Sequence, residues 1–143
     1  MKSCTFFGHR DCPDNIEKKL WDTIEWLIKH EGVTWFYVGD SGNFDRLVLK
    51  VLKGLENYLY DIDICVMLAY FPTEQSVIED NYTLLPEGIE EVPKRFAIDY
   101  RNKYMLDRSE YVITYVVADF GGAAKYAKRA KRQKKTVINI AEI

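Results

Sequence analysis

Short apolar runs alternate with longer amphipathic stretches along most of this chain. The short runs have the length and apolar content of buried strands. In the longer stretches apolar side chains recur every three or four positions, as on one face of a helix. The predicted strands are Cys4–Phe7, Trp35–Val38, Ile62–Ala69, Tyr111–Val117 and Thr136–Ile140. The alternation therefore predicts an α/β fold, with one doubly wound, mostly parallel five-stranded sheet and helices on both faces.

Four helices are predicted between these strands, and local signals mark several of their ends. Asp14 is placed to cap the first helix, with Glu17 completing a capping box, and Gly32 suits its left-handed end. The second helix carries an apolar stripe, the third runs from Arg95 to Asp107, and the fourth from Gly121-Gly122 to about Lys134. The stripe of the second helix is Phe44, Leu47, Val48, Val51, Leu52, Leu55 and Leu59.

The periodicity fails between Tyr70 and Lys94, where Pro72, Pro86 and Pro93 interrupt the chain. This pattern predicts a long surface excursion, and such loops in compact domains are usually functional or mobile. No linker and no internal repeat is recognisable elsewhere. Residues 1–143 are therefore predicted to form a single domain.

The composition of the chain excludes several classes of function. The net charge of -2 argues against a protein whose main task is to coat nucleic acid. Three cysteines without Cys-x-x-Cys spacing indicate neither a disulfide framework nor a zinc site, so no metal is expected. The N-terminal residues lack a signal peptide, and no apolar run is long enough for a membrane helix. We therefore expect a cytoplasmic protein with no membrane partner.

Glycine-bearing turns follow three of the predicted strands. In parallel α/β sheets, ligands bind beyond the carboxyl ends of the strands, where glycine lets the backbone approach a ligand and helix N-termini attract phosphate. Neither the dinucleotide fingerprint Gly-x-Gly-x-x-Gly nor a Walker A sequence is present, which disfavours a hydride-transfer enzyme and an ordinary NTPase. The turns predict a phosphate-binding site formed by Gly8, His9, Arg10, Gly39, Asp40, Ser41, Gly42, Gly121, Gly122 and Ala123.

Charged side chains near these turns each have a functional and a structural interpretation. His9 and Arg10 are predicted to donate to a phosphate or ribose, although a solvated turn would also hold them. Asp45 suits either a ligand hydroxyl or the positive end of its own helix. Arg101, Asn102 and Asp107 lie on the helix before the fourth predicted strand, where an arginine is usually a solvated charge.

The basic stretch near the C-terminus comprises Lys125, Lys128, Arg129, Lys131, Arg132, Lys134 and Lys135. Such a stretch is more often the solvated face of a helix, with cations that suit its C-terminal dipole, than a nucleic-acid surface. Nucleic-acid binding is accordingly the less favoured interpretation of this segment.

Four sequence blocks together resemble the YpsA-like branch of the SLOG superfamily, which also includes the cytokinin-activating LOG enzymes and the DNA-processing DprA proteins. The blocks are Phe-Phe-Gly-His-Arg from position 6, Gly-Asp-Ser-Gly-Asn-Phe-Asp from position 39, the run from Arg95 to Ser109, and Gly-Gly-Ala-Ala-Lys-Tyr-Ala from position 121. The resemblance implies a Rossmann-like sheet and a site for a nucleotide or an ADP-ribose-type molecule. In LOG-type enzymes an arginine on the equivalent helix supports the catalytic site, so the resemblance also implies that Arg101 lies near the ligand.

Three functions remain open, and one motif separates the first two. The first is a sensor, carrier or sequestering module for an ADP-ribose-, NAD- or AMP-like ligand. The second is a LOG-like enzyme acting at an N-glycosidic bond, and the third is a DprA-like nucleic-acid-binding accessory protein. LOG enzymes carry Gly-Gly-x-Gly-Thr-x-x-Glu, whereas this chain has Lys125 and Lys128 in place of the threonine and glutamate. The binding module is therefore favoured, without a resident cofactor, and SLOG-like proteins often form the homodimer expected here.

Overall fold

A six-stranded, fully parallel sheet forms the centre of the computed structural model, which describes residues 2–58, 60–71 and 82–143. The spatial order of the strands is β4-β3-β2-β1-β5-β6. In chain order they are β1 (Lys2–Gly8), β2 (Val33–Val38), β3 (Asp63–Met67), β4 (Thr83–Leu84), β5 (Tyr111–Tyr115) and β6 (Thr136–Asn139). The predicted α/β class with a parallel sheet is confirmed.

The prediction of five strands is wrong, because β4 adds a sixth strand within the predicted surface excursion. Thr83 pairs with Val66 and Leu84 with Met67, so β4 extends the sheet beyond β3. Two residues are too few to show the alternation of side chains by which a strand is recognised in a sequence. Leu59 and residues 72–81 of the predicted excursion lie outside the described residues.

In the described ranges, four longer helices lie between the strands: α1 (Glu17–Trp26), α2 (Gly42–Tyr58), α3 (Ala97–Asp107) and α4 (Gly122–Arg132). A 3-10 turn at Asp14–Ile16 precedes α1, and a wider π-type turn, Leu27–Glu31, prolongs it to Gly32. Gly32 has φ 71° and ψ 27°, which is the left-handed conformation that its position predicted. The predicted capping box is wrong, because the carboxylate of Asp14 accepts hydrogen bonds from Asn43 and Arg46 instead.

Helices cover both faces of the sheet, and successive side chains of β1 point to opposite faces, as the pleat of a strand requires. Phe6 belongs to a core cluster formed with buried residues of α1 and α2, among them Leu20 and Leu52. Phe7 belongs to a second cluster, which includes Met105 of α3 and Tyr126 of α4. This pattern places α1 and α2 on one face and α3 and α4 on the other.

The direction in which the chain adds strands to the sheet reverses at β1. From β1 the chain builds outward through β2, β3 and β4 on one side, and later adds β5 and β6 on the other. At such a switch point the connections leave in opposite directions and open a crevice beyond the carboxyl ends of the two central strands. Among the described helices, none is long and apolar enough to cross a membrane.

Candidate functional site

A cavity of about 480 Å³ opens beyond the carboxyl ends of β1 and β5. Loops after β1, β2 and β5 contribute to its wall, together with one face of α3. The structure thus brings most of the predicted site residues to one place. Those lining the cavity are Gly8, His9, Arg10, Ser41, Asp45, Arg101, Asn102, Gly121, Gly122 and Ala123.

Four predicted site residues are not in the cavity wall. Gly39, Asp40 and Gly42 belong to the loop between β2 and α2, next to residues that do line the cavity. Asp107 is placed elsewhere, because it ends α3 about 9 Å along the helix axis from Arg101. Its carboxylate lies 3.4 Å from Lys103 Nζ, beside a separate groove of about 370 Å³. Asp107 therefore does not line this cavity, and its predicted part in ligand binding stays a prediction.

Arg101 reaches from α3 to the β2–α2 loop and is almost completely buried, with 3% of its side chain exposed. Its Nη1 donates to Asp40 Oδ1 at 2.6 Å and approaches Ser41 Oγ at 3.4 Å. Its Nε and Nη2 donate to Asn102 Oδ1, each at 3.2 Å. A buried guanidinium needs such partners to offset its loss of hydration. The alternative of a solvated surface charge is therefore excluded for Arg101.

Gly39 makes this arrangement sterically possible. A Cβ atom at this position would lie 2.7 Å from Asp45 Oδ2 and 3.0 Å from Arg101 Cζ. Both distances are shorter than ordinary van der Waals contacts, so a side chain here would displace one of the two charged groups. The glycine lets the carboxylate from α2 and the guanidinium from α3 meet beside the backbone of the loop.

Asp45 lies in the first turn of α2, and its Oδ2 accepts a hydrogen bond from the backbone N–H of Ser41 at 2.9 Å. Burial raises the pKa of this carboxyl from its ordinary value to about 6, although the bond from Ser41 and the charge of Arg101 partly oppose that rise. The side chain thus accepts a hydrogen bond at the start of α2, in keeping with its structural interpretation, and its contact with a ligand hydroxyl stays a prediction. It also leaves a carboxyl in the cavity wall that exchanges its proton near neutral pH.

The loops after β1 and β2 are joined through Gly42, Asn43 and Arg10. The backbone N–H of Asn43 donates to the carbonyl oxygen of Arg10 at 2.8 Å. Gly42 has φ 87°, and a Cβ atom there would lie 2.6 Å from Arg10 Cβ. The close approach and the positive φ both require glycine. By contrast, the exposed guanidinium of Arg10 makes no hydrogen bond or salt bridge with any residue that the structure describes.

Gly8 ends β1 against the ring of Phe44, a fully buried side chain in the first turn of α2. A Cβ atom at Gly8 would overlap the Phe44 ring, so the strand can pass over this ring only as glycine. The turn is predictable from the sequence. The reason for its glycine is a close packing contact, which a single sequence does not reveal.

His9 supports the loop after β5 instead of donating through Nε2 to a ligand. Its Nε2 accepts hydrogen bonds from the backbone N–H groups of Val117 and Ala118, at 3.0 and 3.3 Å. An imidazole nitrogen that accepts carries no proton, so the proton of the neutral ring is on Nδ1. His9 lines the cavity, but these two N–H groups occupy its Nε2, so its predicted donation to a phosphate or ribose is not available through that nitrogen and stays a prediction.

The N-terminus of α4 is open to the cavity. Gly121 precedes the helix with φ 94° and ψ 174°, and no side chain caps it. A Cβ atom at Gly121 or Gly122 would have no neighbour within 4 Å, so both glycines border open space. Lys128 pairs with Asp119 at 2.8 Å and is not part of the cavity wall.

Several residues of the wall were not predicted from the sequence. They are Phe6, Phe7, Asp11, Ile98, Met105, Val117, Ala118 and Phe120. The signal that could have found Phe120 is an aromatic residue directly before two glycines in a turn after a strand. Among the described residues, no group of three or more His, Cys, Asp or Glu side chains could hold a metal ion.

Comparisons with known proteins support the fold. No protein-family model matches the sequence, and no curated protein matches it significantly. Among solved structures, the X-ray structure of DNA processing protein A (DprA) from Streptococcus pneumoniae is similar, with a TM-score of 0.66 and 17% sequence identity. The alignment covers 96% of this chain and 49% of that one, so this chain spans about half the length of that protein. At this identity the likeness shows the fold alone.

Proposed function

We propose that the protein binds a phosphate-bearing, nucleotide-derived small molecule and acts as a sensor, carrier or sequestering module for it. The candidate ligands are AMP, ADP-ribose and NAD. One observation carries this proposal: the N-terminus of α4, which no described side chain caps, and the exposed guanidinium of Arg10 line the same cavity. Both features attract anions, and they lie at the position where sheets of this kind bind ligands.

The chemistry of these two features suits a phosphate group. The first N–H groups of a helix have no partner within the helix, and the helix dipole adds a partial positive charge there. The two glycines leave room for an anion to approach these N–H groups. Arg10 offers a planar fork of donors that matches two phosphate oxygens. The volume of about 480 Å³ also lies within the usual range for small-molecule sites.

The proposal extends to the family and the organisation of the chain. The four sequence blocks support assignment to the YpsA-like branch of the SLOG superfamily, and the fold shared with DprA is consistent with it. One continuous sheet supports a single domain over residues 1–143. Three unpaired, buried cysteines are consistent with the reducing cytoplasm as its compartment.

Calorimetric titration with AMP, ADP-ribose and NAD tests the proposal. We expect the parent protein to bind at least one of them, and Arg10→Ala to weaken that binding by about ten-fold or more, as expected when a charge-assisted hydrogen bond is lost. Arg132→Ala is the matched control, because it removes an exposed arginine at the other end of α4. The proposal fails if the parent binds none of the three. The site is wrong if Arg10→Ala binds as the parent does.

A nucleic-acid-binding role is the second candidate, because the similar fold belongs to a DNA processing protein. Two cations of the basic stretch are engaged: Lys125 pairs with Asp99 and Lys128 with Asp119. Lys131 and Arg132 remain exposed at the end of α4. Fluorescence anisotropy with labelled oligonucleotides tests this role. Binding that weakens steeply with salt and is lost in the Lys131→Glu, Arg132→Glu double variant would favour it over the small-molecule proposal.

A LOG-like enzyme is the third candidate, and Asp45 is the observation in its favour. A carboxyl with a pKa of about 6 in a cavity wall is suited to accept and return a proton near neutral pH. Asp45 also has a structural role at the start of α2, which accounts for its position without any reaction. An assay for turnover separates the two interpretations and is described among the predictions below.

A further inference from the structure

Phe120 is the most exposed large hydrophobic side chain among the described residues, with 79% of its surface accessible. Phe6, Phe7, Phe36 and Phe44 are all buried in the core. Within the described part of the chain, no aromatic or cationic side chain covers the ring of Phe120. Phe120 nevertheless lines the cavity.

The backbone on both sides of Phe120 is held in place. His9 Nε2 accepts hydrogen bonds from the backbone N–H groups of Val117 and Ala118, which precede Phe120 in the chain. Lys128 Nζ binds the carboxylate of Asp119 at 2.8 Å and its carbonyl oxygen at 3.3 Å. After Phe120, Gly121 leads directly into α4. The exposed ring therefore extends from a hydrogen-bonded segment, so contact with a ligand would order its side chain more than its backbone.

We propose that Phe120 determines ligand specificity by stacking on the planar base of the bound nucleotide. This inference rests on the proposed function, which places the phosphate at the neighbouring N-terminus of α4. Every nucleobase has a π face, and the phenyl ring has no hydrogen-bonding group with which to distinguish one base from another. The contact therefore selects for the presence of a base, and the polar groups of the cavity hold the phosphate.

The test uses two ligands that differ by one group, AMP and ribose 5-phosphate, because the second has the same phosphate without adenine. We expect calorimetry to show that the parent protein binds AMP about ten-fold more tightly or better, the effect of one base–aromatic stack. Phe120→Ala should lower AMP affinity to that of ribose 5-phosphate and leave ribose 5-phosphate binding unchanged. Phe120→Trp should keep the preference, and its added indole fluorescence should be quenched by AMP alone.

The matched control is Phe96→Ala, which removes another exposed phenylalanine outside the cavity wall. This variant should bind both ligands as the parent does. A parent-like preference for AMP in Phe120→Ala would overturn the inference. Equal binding of AMP and ribose 5-phosphate by the parent would also overturn the inference, but it would not contradict the proposed binding of phosphate. If the parent binds neither these ligands nor ADP-ribose or NAD, the proposed function itself fails.

Discussion

Arg101 and Asp40 join the two helical layers of the protein across the carboxyl edge of the sheet. The guanidinium comes from α3 on one face, and the carboxylate precedes α2 on the other, with 2.6 Å between Nη1 and Oδ1. Ser41 and Asn102 complete the partners of the arginine. The pair therefore holds the β2–α2 loop in its position beside the cavity, and this role does not depend on a ligand.

Replacing this arginine should destabilise the protein. Arg101→Ala removes the hydrogen bonds to Asp40, Ser41 and Asn102 and leaves Asp40 without its cation. We expect a loss of about 1–3 kcal/mol in the free energy of unfolding. The lower part of this range reflects the partial hydration of Asp40, whose side chain is 41% exposed. Urea unfolding followed by tryptophan fluorescence measures it. Arg46→Ala, which breaks an exposed pair with Asp14, should change stability much less; equal effects would contradict the prediction.

The stability of the protein should depend on pH through Asp45. Its pKa of about 6 lies above the ordinary value of 3.8, so the native state holds this proton more tightly than the unfolded chain. The contribution of Asp45 to stability is therefore fully present below about pH 4 and is lost as the pH rises through about 6. Between about pH 4 and pH 7, the free energy of unfolding of the parent should fall by about 1–3 kcal/mol more than that of Asp45→Asn.

Unfolding free energies of the two proteins at several pH values between 4 and 7 provide the measurement. The quantity to follow is the difference between parent and variant, because other groups titrate in both. Asp61→Asn, which changes an exposed aspartate, is the control and should follow the parent curve. A constant difference between the parent and Asp45→Asn would show that Asp45 does not titrate as the structure indicates.

Two glycines of the site should respond differently to an added methyl group. Gly39→Ala places Cβ against Asp45 and Arg101, and it should cost about 1–3 kcal/mol of stability as an overpacking change. Gly122→Ala meets no neighbour within 4 Å and lies in a helix, so its stability should be unchanged or slightly higher. Thermal unfolding of both variants beside the parent tests this contrast. Similar losses in the two would mean that the contacts at Gly39 are unimportant.

The protein should not hydrolyse nucleotides at the N-glycosidic bond. A carboxylate must stabilise the developing sugar cation or activate water, and the resemblance to LOG enzymes described above implies Lys128 at the position of their glutamate. Incubation with AMP and ADP-ribose, followed by chromatography, should show no free adenine. Turnover that disappears in Asp45→Asn but persists in Asp107→Asn would identify an enzyme. Asp107 is the suitable control, because it lies outside the cavity wall.

We expect the chain to form a homodimer in solution. Trp26 and Tyr58, at the ends of α1 and α2, are 48% and 62% exposed, and apolar side chains of this size commonly contribute to interfaces between copies. Light scattering should give about twice the monomer mass of 16.8 kDa. Trp26→Lys combined with Tyr58→Lys should shift the protein to the monomer. A parent protein that is monomeric at high concentration would contradict the expectation.

The sequence was most informative where periodicity and turn chemistry act locally. Apolar runs located five strands, and glycines after them located the loops that line the cavity. The short strand β4 was missed because its position depends on pairing with β3, a long-range contact that leaves no local pattern. The contacts that hold His9 and Arg101 could not be predicted for the same reason. Their partners, Val117 and Asp40, are distant in sequence and become neighbours only through the fold.

The contact between Gly8 and Phe44 has a consequence for how this protein can change during evolution. Because a methyl group at position 8 would overlap the ring at position 44, neither residue can be altered as if the other were absent. In chains that share this packing, we expect a side chain at position 8 to occur only with a smaller residue at position 44. The same dependence would make Gly8→Ala less harmful in a Phe44→Leu background than in the parent, so mutational tolerance at the cavity is set partly by the core beneath it.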